Sequence, residues 1–506
     1  MNYPGGTIVY IRQGGPNIQF STDNSTWSNV TFPVIVTNNN PSLGLLNIEF
    51  TTDITLTTNN DYFVCGSSDI QFGKSSLKND GTRPIISVYF TNYDGFINNG
   101  SESAAGYNNI YIYNLIVVNG GIGSLQIGTG WIGQKGFANS SINNYIINCS
   151  SSGDLPGGAV GSGGIVGSYA GKYLSGNSSL VIIGCSSSGN IGQQDGGIVG
   201  QFAGYGGGTV TCIQCFSTGV IQNLSGGIFG NYAGYQGGII TATKCYSTGE
   251  IGSYSGGIFG RFAGYYGQAS ADQCYSRGNI SNFGGGIFGD TAGISLNITQ
   301  YTIASNCYSF GSVTTPGNGI YGSTKYNGTE VNCYVANGSW TDSDANLSLL
   351  GIPSPIIGST WIKDGFNQPY ILNNIGYTPY SINNISTSGI PSLVQSFSQT
   401  INAGGSTSAG IINGLFYQIF DISKGGSFGT FPTITINSTT GVISTTSGTA
   451  SGQYTIYLRS DYNNTQFNLT VNSETNNNNA GFLLLLLLLQ RRYYKEKYPW
   501  LAIQKI

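Results

Sequence analysis

The sequence predicts an all-β chain built mainly as a right-handed parallel β-helix, a solenoid of stacked coils. Three observations predict it. A glycine-rich phrase returns about every thirty residues, a cysteine follows each copy in phase, and the composition favours strands joined by tight turns. Glycine makes up 79 of 506 residues, more than twice its usual share of about 7 %. Charged residues are 8 %, against roughly 25 % in ordinary domains. Low charge with many aromatic and β-branched residues argues against disorder. Gly, Ser, Thr and Asn among β-branched residues argue for short strands and turns.

The phrase reads GGIVGSYAG (163–171), GGIVGQFAG (196–204), GGIFGNYAG (226–234), GGIFGRFAG (256–264) and GGIFGDTAG (285–293), with a worn copy GNGIYG at 317–322. Its central isoleucines are Ile165, Ile198, Ile228, Ile258, Ile287 and Ile320, spaced by 33, 30, 30, 29 and 33 residues. Cys149, Cys185, Cys215, Cys245, Cys274, Cys307 and Cys333 keep the same phase, mostly opening words like CYSTG. A fixed period of 20–50 residues signals stacked supersecondary units. Each unit holds three short β runs broken by glycine and no amphipathic helix. One unit is therefore one coil, and coils hydrogen-bond at about 4.8 Å. Like residues then lie over like: the isoleucines form an internal column, and glycines turn corners that a Cβ would block.

The remaining segments follow in order. Residues 1–148 carry irregular strand words such as GTIVYIRQ, FPVIVTNN and YFVCGSSDIQFG, read as an N-terminal cap and early coils. Regular coils occupy 149–340. Residues 341–385, with Trp361, Phe366 and Tyr370, are expected to close the other end of the stack. Over 386–474 the pattern changes to alternating strands with turns every 8–12 residues, as in a small β-sandwich. Residues 475–506 combine an asparagine linker, the apolar run Ala480–Leu489 and a basic end.

The repeat words GGI[VF]G…CYSTG resemble the GLUG-type repeat of β-helical surface proteins. The stretch NNIYIYNLIVVNGGIGSLQIGTGWIGQ (108–134) is similar to repeat proteins of giant, mimivirus-like DNA viruses. The segment FPTITINSTTGVISTTSGTASGQYTIYLRSDYNNTQFNLTV resembles immunoglobulin-like and cadherin-like modules. The first two likenesses cover roughly residues 85–370. They imply a β-helix and a place on a virion or host-cell membrane, and they imply no particular activity.

Composition narrows the chemistry. Histidine is absent, which removes Ser-His-Asp and Cys-His catalysis and every imidazole metal site. GGSFG (425–429) is therefore no nucleophile elbow. The strings at 284–289 and 317–322 satisfy G-x-G-x-x-G, but they are repeat copies with no following helix. SSDIQFGKS (67–75) has Ser68 where a phosphate loop needs glycine. Cys212 and Cys215 form a lone CxxC without the second pair a zinc site needs. The in-phase cysteines read as small stacked core residues, with disulfides between coils as the alternative. Polysaccharide hydrolysis needs two carboxylates set for acid and base work. The repeat carboxylates Asp154, Asp195, Glu250, Asp272 and Asp290 fall at different phases. Calcium-binding solenoids carry Asp in each glycine-rich turn, and these turns lack it. No catalytic residue, metal or cofactor is expected.

The aromatic residues are more regular. Tyr169, Phe202, Tyr232 and Phe262 share a phase, as do Tyr205, Tyr235 and Tyr265, and Phe216, Tyr246, Tyr275, Tyr308 and Tyr334. Tyr205, Tyr235, Tyr265, Tyr246 and Tyr275 are the candidate ligand contacts, for a glycan or a protein. Stacking that only stabilises the coils is the other reading. Net charge is −3, and no basic face offers itself to nucleic acid. The positive charges gather at the end, where Arg491, Arg492, Lys495, Lys497 and Lys505 face only Glu496. The apolar run is half the roughly 20 residues of a spanning helix. Phe482, Leu483, Leu489, Arg491 and Arg492 are the candidate membrane contacts. The opening MNYPGGTIVYIRQGG lacks the charged and apolar regions of a secretory signal. Sequons such as Asn24, Asn177, Asn279, Asn337 and Asn468 matter only if the chain meets a glycosylation system. The expected function is a structural or adhesive surface protein with host-surface glycans or other virion proteins as partners. The alternative is a glycan-binding or glycan-degrading spike, the latter a polysaccharide hydrolase or lyase.

Overall fold

The computed structural model describes residues 1–335 apart from 77, 79–81, 175–176, 296–300, 315–318 and 332; from 361 to 472 it describes strand segments and a few flanking positions. The coils are there, and successive coils pair with one another along three faces. The first face is a thirteen-stranded sheet. From Leu46–Phe50 onward it adds Ile70–Phe72, Ile110–Tyr113, Asn144–Ile147, Ser179–Ile183, Thr209–Ile213, Ile239–Thr243, Gln268–Asp272, Thr302–Ser305 and Gly328–Val331, all parallel. The second face is a ten-stranded parallel sheet from Ile54–Leu56 to Tyr334–Val335. The third begins as four strands, Asn2–Tyr3, Val34–Asn38, Phe63–Cys65 and Ile97–Asn98. It continues as single-residue bridges Ile97, Gly133, Val166, Val199, Phe229, Phe259, Phe288 and Tyr321. The sheets pass residue 148 without a break. At the N-terminal edge, Ile8–Gly14 pairs in parallel with Leu46–Phe50, then folds back antiparallel on Asn17–Ser21 and Ser28–Asn29.

The glycine phrase forms the third face. The amides of Ile198 and Val199 both donate to the Ile228 carbonyl, at 3.0 and 2.9 Å, and those of Ile228 and Phe229 to the Ile258 carbonyl. Two donors on one acceptor draw the backbones of successive coils together, which leaves room for glycine alone on either side. The six isoleucines are at most 3 % exposed. Beside them Phe229, Phe259, Phe288 and Tyr321 stack at 5.1, 4.7 and 4.8 Å in the core. The seven in-phase cysteines form a further column, buried except for Cys333, and all nine cysteines are free thiols. Each of the seven in-phase thiols reaches carbonyls, as Cys215 does to Ile182 and Ile213 at 3.5 and 3.4 Å. Burial pushes the Cys185, Cys245 and Cys274 thiols well above their usual range. Cys212 lies in a different column, between Ile182 and Ala242.

Corners between faces use the left-handed region at many residues other than glycine. Asp69, Asn109 and Asn143 stand at φ 65, 57 and 57°. Their side chains run a ladder, Asn109 donating to Asp69 at 2.8 Å and Asn143 to Asn109 at 3.1 Å. A second corner stacks Asn114, Asn148, Gly184, Gln214, Lys244, Gln273 and Asn306, all at φ 52–60°. Asn and Asp accept this conformation through local hydrogen bonds, whereas other residues are strained by about 1–2 kcal/mol each.

Beyond the coils, Trp361–Lys363 pairs antiparallel with Tyr370–Leu372. Ser398–Asn402, Asn464–Asn472, Gly452–Ser460, Tyr417–Lys424 and Ser427–Phe428 form one sheet in that order, and Ser406–Ser408, Val442–Thr445 and Ile434–Ile436 another.

Among the described residues three carboxylates lie inside the fold, and one of them, Asp290, pairs with Arg261. Glu49 is 5 % exposed and accepts from the Ser75 amide and the Ser76 hydroxyl. Asp195, fully buried, stands where neighbouring coils carry Ser162, Ser225 and Ser255. It accepts from the amides of Ser162 and Gly157 at 2.6 and 2.9 Å, tying down the 155–161 insertion. Burial outweighs these bonds and raises both carboxyls to about 7. The folded chain therefore holds these protons up to near neutrality, while the unfolded chain releases them near pH 4. Stability is expected to fall as pH rises from about 4 to about 7, by on the order of a few kcal/mol for the pair. Melting curves across pH 4–8 check this, and Asp195→Asn should flatten the slope.

Candidate functional site

The corner that follows each glycine phrase carries two aromatic columns. Its local sequence is ring–Ala–Gly–X. The ring residue sits in the left-handed region, Tyr169, Phe202, Tyr232 and Phe262 at φ 57–59°. The alanine (170, 203, 233 or 263) enters the core fully buried. The glycine, at φ 67° in Gly204 and 81° in Gly234, completes a tight turn, and positive φ there is what glycine supplies. The turn closes as the Tyr205, Tyr235 and Tyr265 amides donate to Phe202, Tyr232 and Phe262 at 3.2 Å. The coils of Phe202, Tyr232 and Phe262 thus each present an inner and an outer ring, both half-buried.

The inner rings stack along the rod at 4.9, 5.4 and 4.6 Å with interplanar angles near 20°. Their faces cover one another. The outer rings behave differently. Tyr205 stands at 71° and 90° to Tyr169 and Phe202, and Tyr265 at 73° and 89° to Tyr232 and Phe262. No ring edge fits between inner rings under 5.5 Å apart. Tyr205 and Tyr265 therefore receive the inner edges on one face and turn the other away from the inner column, with Tyr266 beside Tyr265 at 4.4 Å and 63°. Tyr235, between them, is tilted by 39° and 55° to Phe202 and Tyr232. The outer centroids are 5.5 and 5.3 Å apart.

Charged groups close both ends. Lys135 and Lys172 lie over Tyr169 at 5.4 and 5.1 Å, and Lys172 also over Tyr205 at 5.3 Å. Glu102 fixes both lysines, its carboxylate 2.7 Å from Lys135 and its carbonyl accepting from Lys172 at 2.9 Å. Burial, then Glu102, lifts the Tyr169 hydroxyl to about 12. At the far end Arg261 covers Phe262 at 4.3 Å and pairs with Asp290 at 3.4 Å. Sequence reasoning missed these caps. Lys172 stands at the Tyr205 position one coil earlier, so the same phasing would have found it.

The other sequence candidates separate from this corner. Phe216, Tyr246 and Tyr275 do stack, at 4.8 Å per step. Tyr246 and Tyr275 are only 3 % and 0 % exposed, so burial withdraws them from the expected ligand surface. Phe482, Leu483, Leu489, Arg491 and Arg492 lie outside the described residues. Within those residues no helix is long and apolar enough to cross a membrane, and no group of three or more Cys, Asp or Glu gathers as a metal site.

The repeat carboxylates mostly hold backbone. Asp154 accepts from the Asn190 amide, and Asp290 from Ser323 and Thr324. Asp272 accepts from Gln273 and Asn306. Glu250 lines an open groove of about 270 Å³ with Gln193, Gln222, Asn223 and Ser281, and it is the one carboxylate in that lining. No family model, curated protein or solved structure matches the chain.

Proposed function

We propose that this chain is a non-enzymatic structural or adhesive surface protein, a right-handed solenoid stalk followed by an immunoglobulin-like module over 386–474. By its likeness to GLUG-type repeats and to mimivirus-like repeat proteins, its place is a virion or the membrane of the infected cell. The tail residues Phe482–Leu489 with Arg491 and Arg492 are its membrane contact. One observation carries this reading. Coil after coil, side chains are committed to stacking on their counterparts, and four of the five repeat carboxylates are engaged in holding the fold. Rods of this kind set spacing and present a long surface, and each coil depends only on its neighbours. The test is to search purified particles for the chain by mass spectrometry, and to fractionate the full chain beside one ending at Asn479. The full chain should sediment with particles or membranes and the shortened one should leave the membranes. Absence from particles, with both forms soluble, would overturn the proposal.

A further inference from the structure

We infer that the outer tyrosine column, Tyr205, Tyr235 and Tyr265, is the binding site for a β-1,4-linked glycan lying along the rod. This deepens the surface-protein reading and rests on the rod being displayed.

Support for the column gives the first argument. Four successive coils place an inner Tyr or Phe in the left-handed region, half-exposed, and Tyr205, Tyr235 and Tyr265 rest against these rings. Ring orientation gives the second. Tyr205 and Tyr265 each turn one face away from the inner column, and an aromatic face is the negative side of the ring quadrupole. An all-equatorial pyranose offers a matching surface of axial C–H groups.

Spacing selects the polymer. Neighbouring outer ring centroids, inclined at 62° and 59°, lie 5.5 and 5.3 Å apart, close to the length of one pyranose. An extended peptide puts same-side side chains about 6.6–6.8 Å apart, so it loses register within three rungs. In a β-1,4 chain each sugar is turned over relative to the last, so sugars n and n+2 show the same face. Tyr205 and Tyr265 are two coils apart with faces away from the inner column, and the tilted Tyr235 lies under the sugar that is turned over. Its hydroxyl, with the Lys172 ammonium at one end, is placed to bond sugar hydroxyls.

The full chain, mixed with insoluble cellulose and chitin, should be depleted from solution by at least one of them and not by an amylose resin. Soluble β-1,4 oligomers give a second reading on the unaltered protein. A trimer is the shortest that reaches both Tyr205 and Tyr265, so it should bind at least tenfold tighter than the dimer. Tyr205→Ala with Tyr265→Ala should lower binding at least tenfold at an unchanged melting midpoint. Should that variant melt early, Tyr205→Trp with Tyr265→Trp, which keeps both faces, carries the comparison and should bind at least as well as wild type. No depletion by either β-1,4 polymer, equal depletion by amylose, equal affinity for dimer and hexamer, or loss of binding in a stable tryptophan pair would each overturn the site. Absence from particles would remove the proposed location and leave these binding results unaffected.

Discussion

Gly226→Ala is expected to unfold the repeat section under conditions where the wild-type chain is intact. A Cβ at Gly226 would lie 2.0 Å from the Phe229 carbonyl oxygen and 2.5 Å from the Gly260 amide nitrogen. Both neighbours are backbone, one within the same coil and one in the next. Neither can swing aside as a side chain does, because the Gly260 amide donates to the Phe229 carbonyl at 2.9 Å. Relief requires opening the paired donors on the Ile258 carbonyl, which hold this face together. A cost of about 4 kcal/mol or more is expected, at the upper end for single substitutions. Thermal and urea melts should show it, together with protease cleavage between coils. A midpoint within a degree or two of wild type would mean the glycine column is not the constraint described.

Ile228→Ala comes next in size. Ile228 is fully buried between Ile198 and Ile258. Removing its outer carbons forfeits their transfer energy and leaves a cavity that rigid neighbours cannot close. Such changes cost about 2–5 kcal/mol. Because each coil contacts only the next, the loss should stay local. Hydrogen exchange should speed in the coils around 198, 228 and 258 and remain slow in the early coils near Ile70 and Ile110. An even rise along the whole rod would contradict nearest-neighbour stacking.

Much of this was legible in the sequence, for a physical reason. A parallel stack in register makes the chemical period equal to the structural one. Ile198, Ile228 and Ile258 therefore announced a column before any coordinates, and so did Cys215, Cys245 and Cys274. What stayed hidden depended on direction rather than spacing. The phase of Tyr246 and Tyr275 equals that of Tyr235 and Tyr265 in regularity, yet one pair is buried and the other half-exposed. Period alone does not tell which side of a strand is covered. The left-handed corners were hidden too, since Tyr232, Lys244 and Leu224 have no intrinsic preference for positive φ. Neighbouring coils impose it on them. Asp195 looked like a scattered solvated charge because its donors, Gly157 and Ser162, lie in the preceding coil, within and just after the 155–161 insertion.

The direction of the inter-coil hydrogen bonds has a mechanical consequence. They run along the rod, so tension applied at its ends loads them one layer at a time, like a zipper, and never in shear. Stretching should then release the chain in steps of one coil, 29–33 residues, or about 100 Å of contour at 3.3–3.6 Å per residue. The same bonds resist compression together. Such a rod stands stiffly under crowding or impact and gives way gradually when pulled, absorbing load by shedding layers instead of snapping.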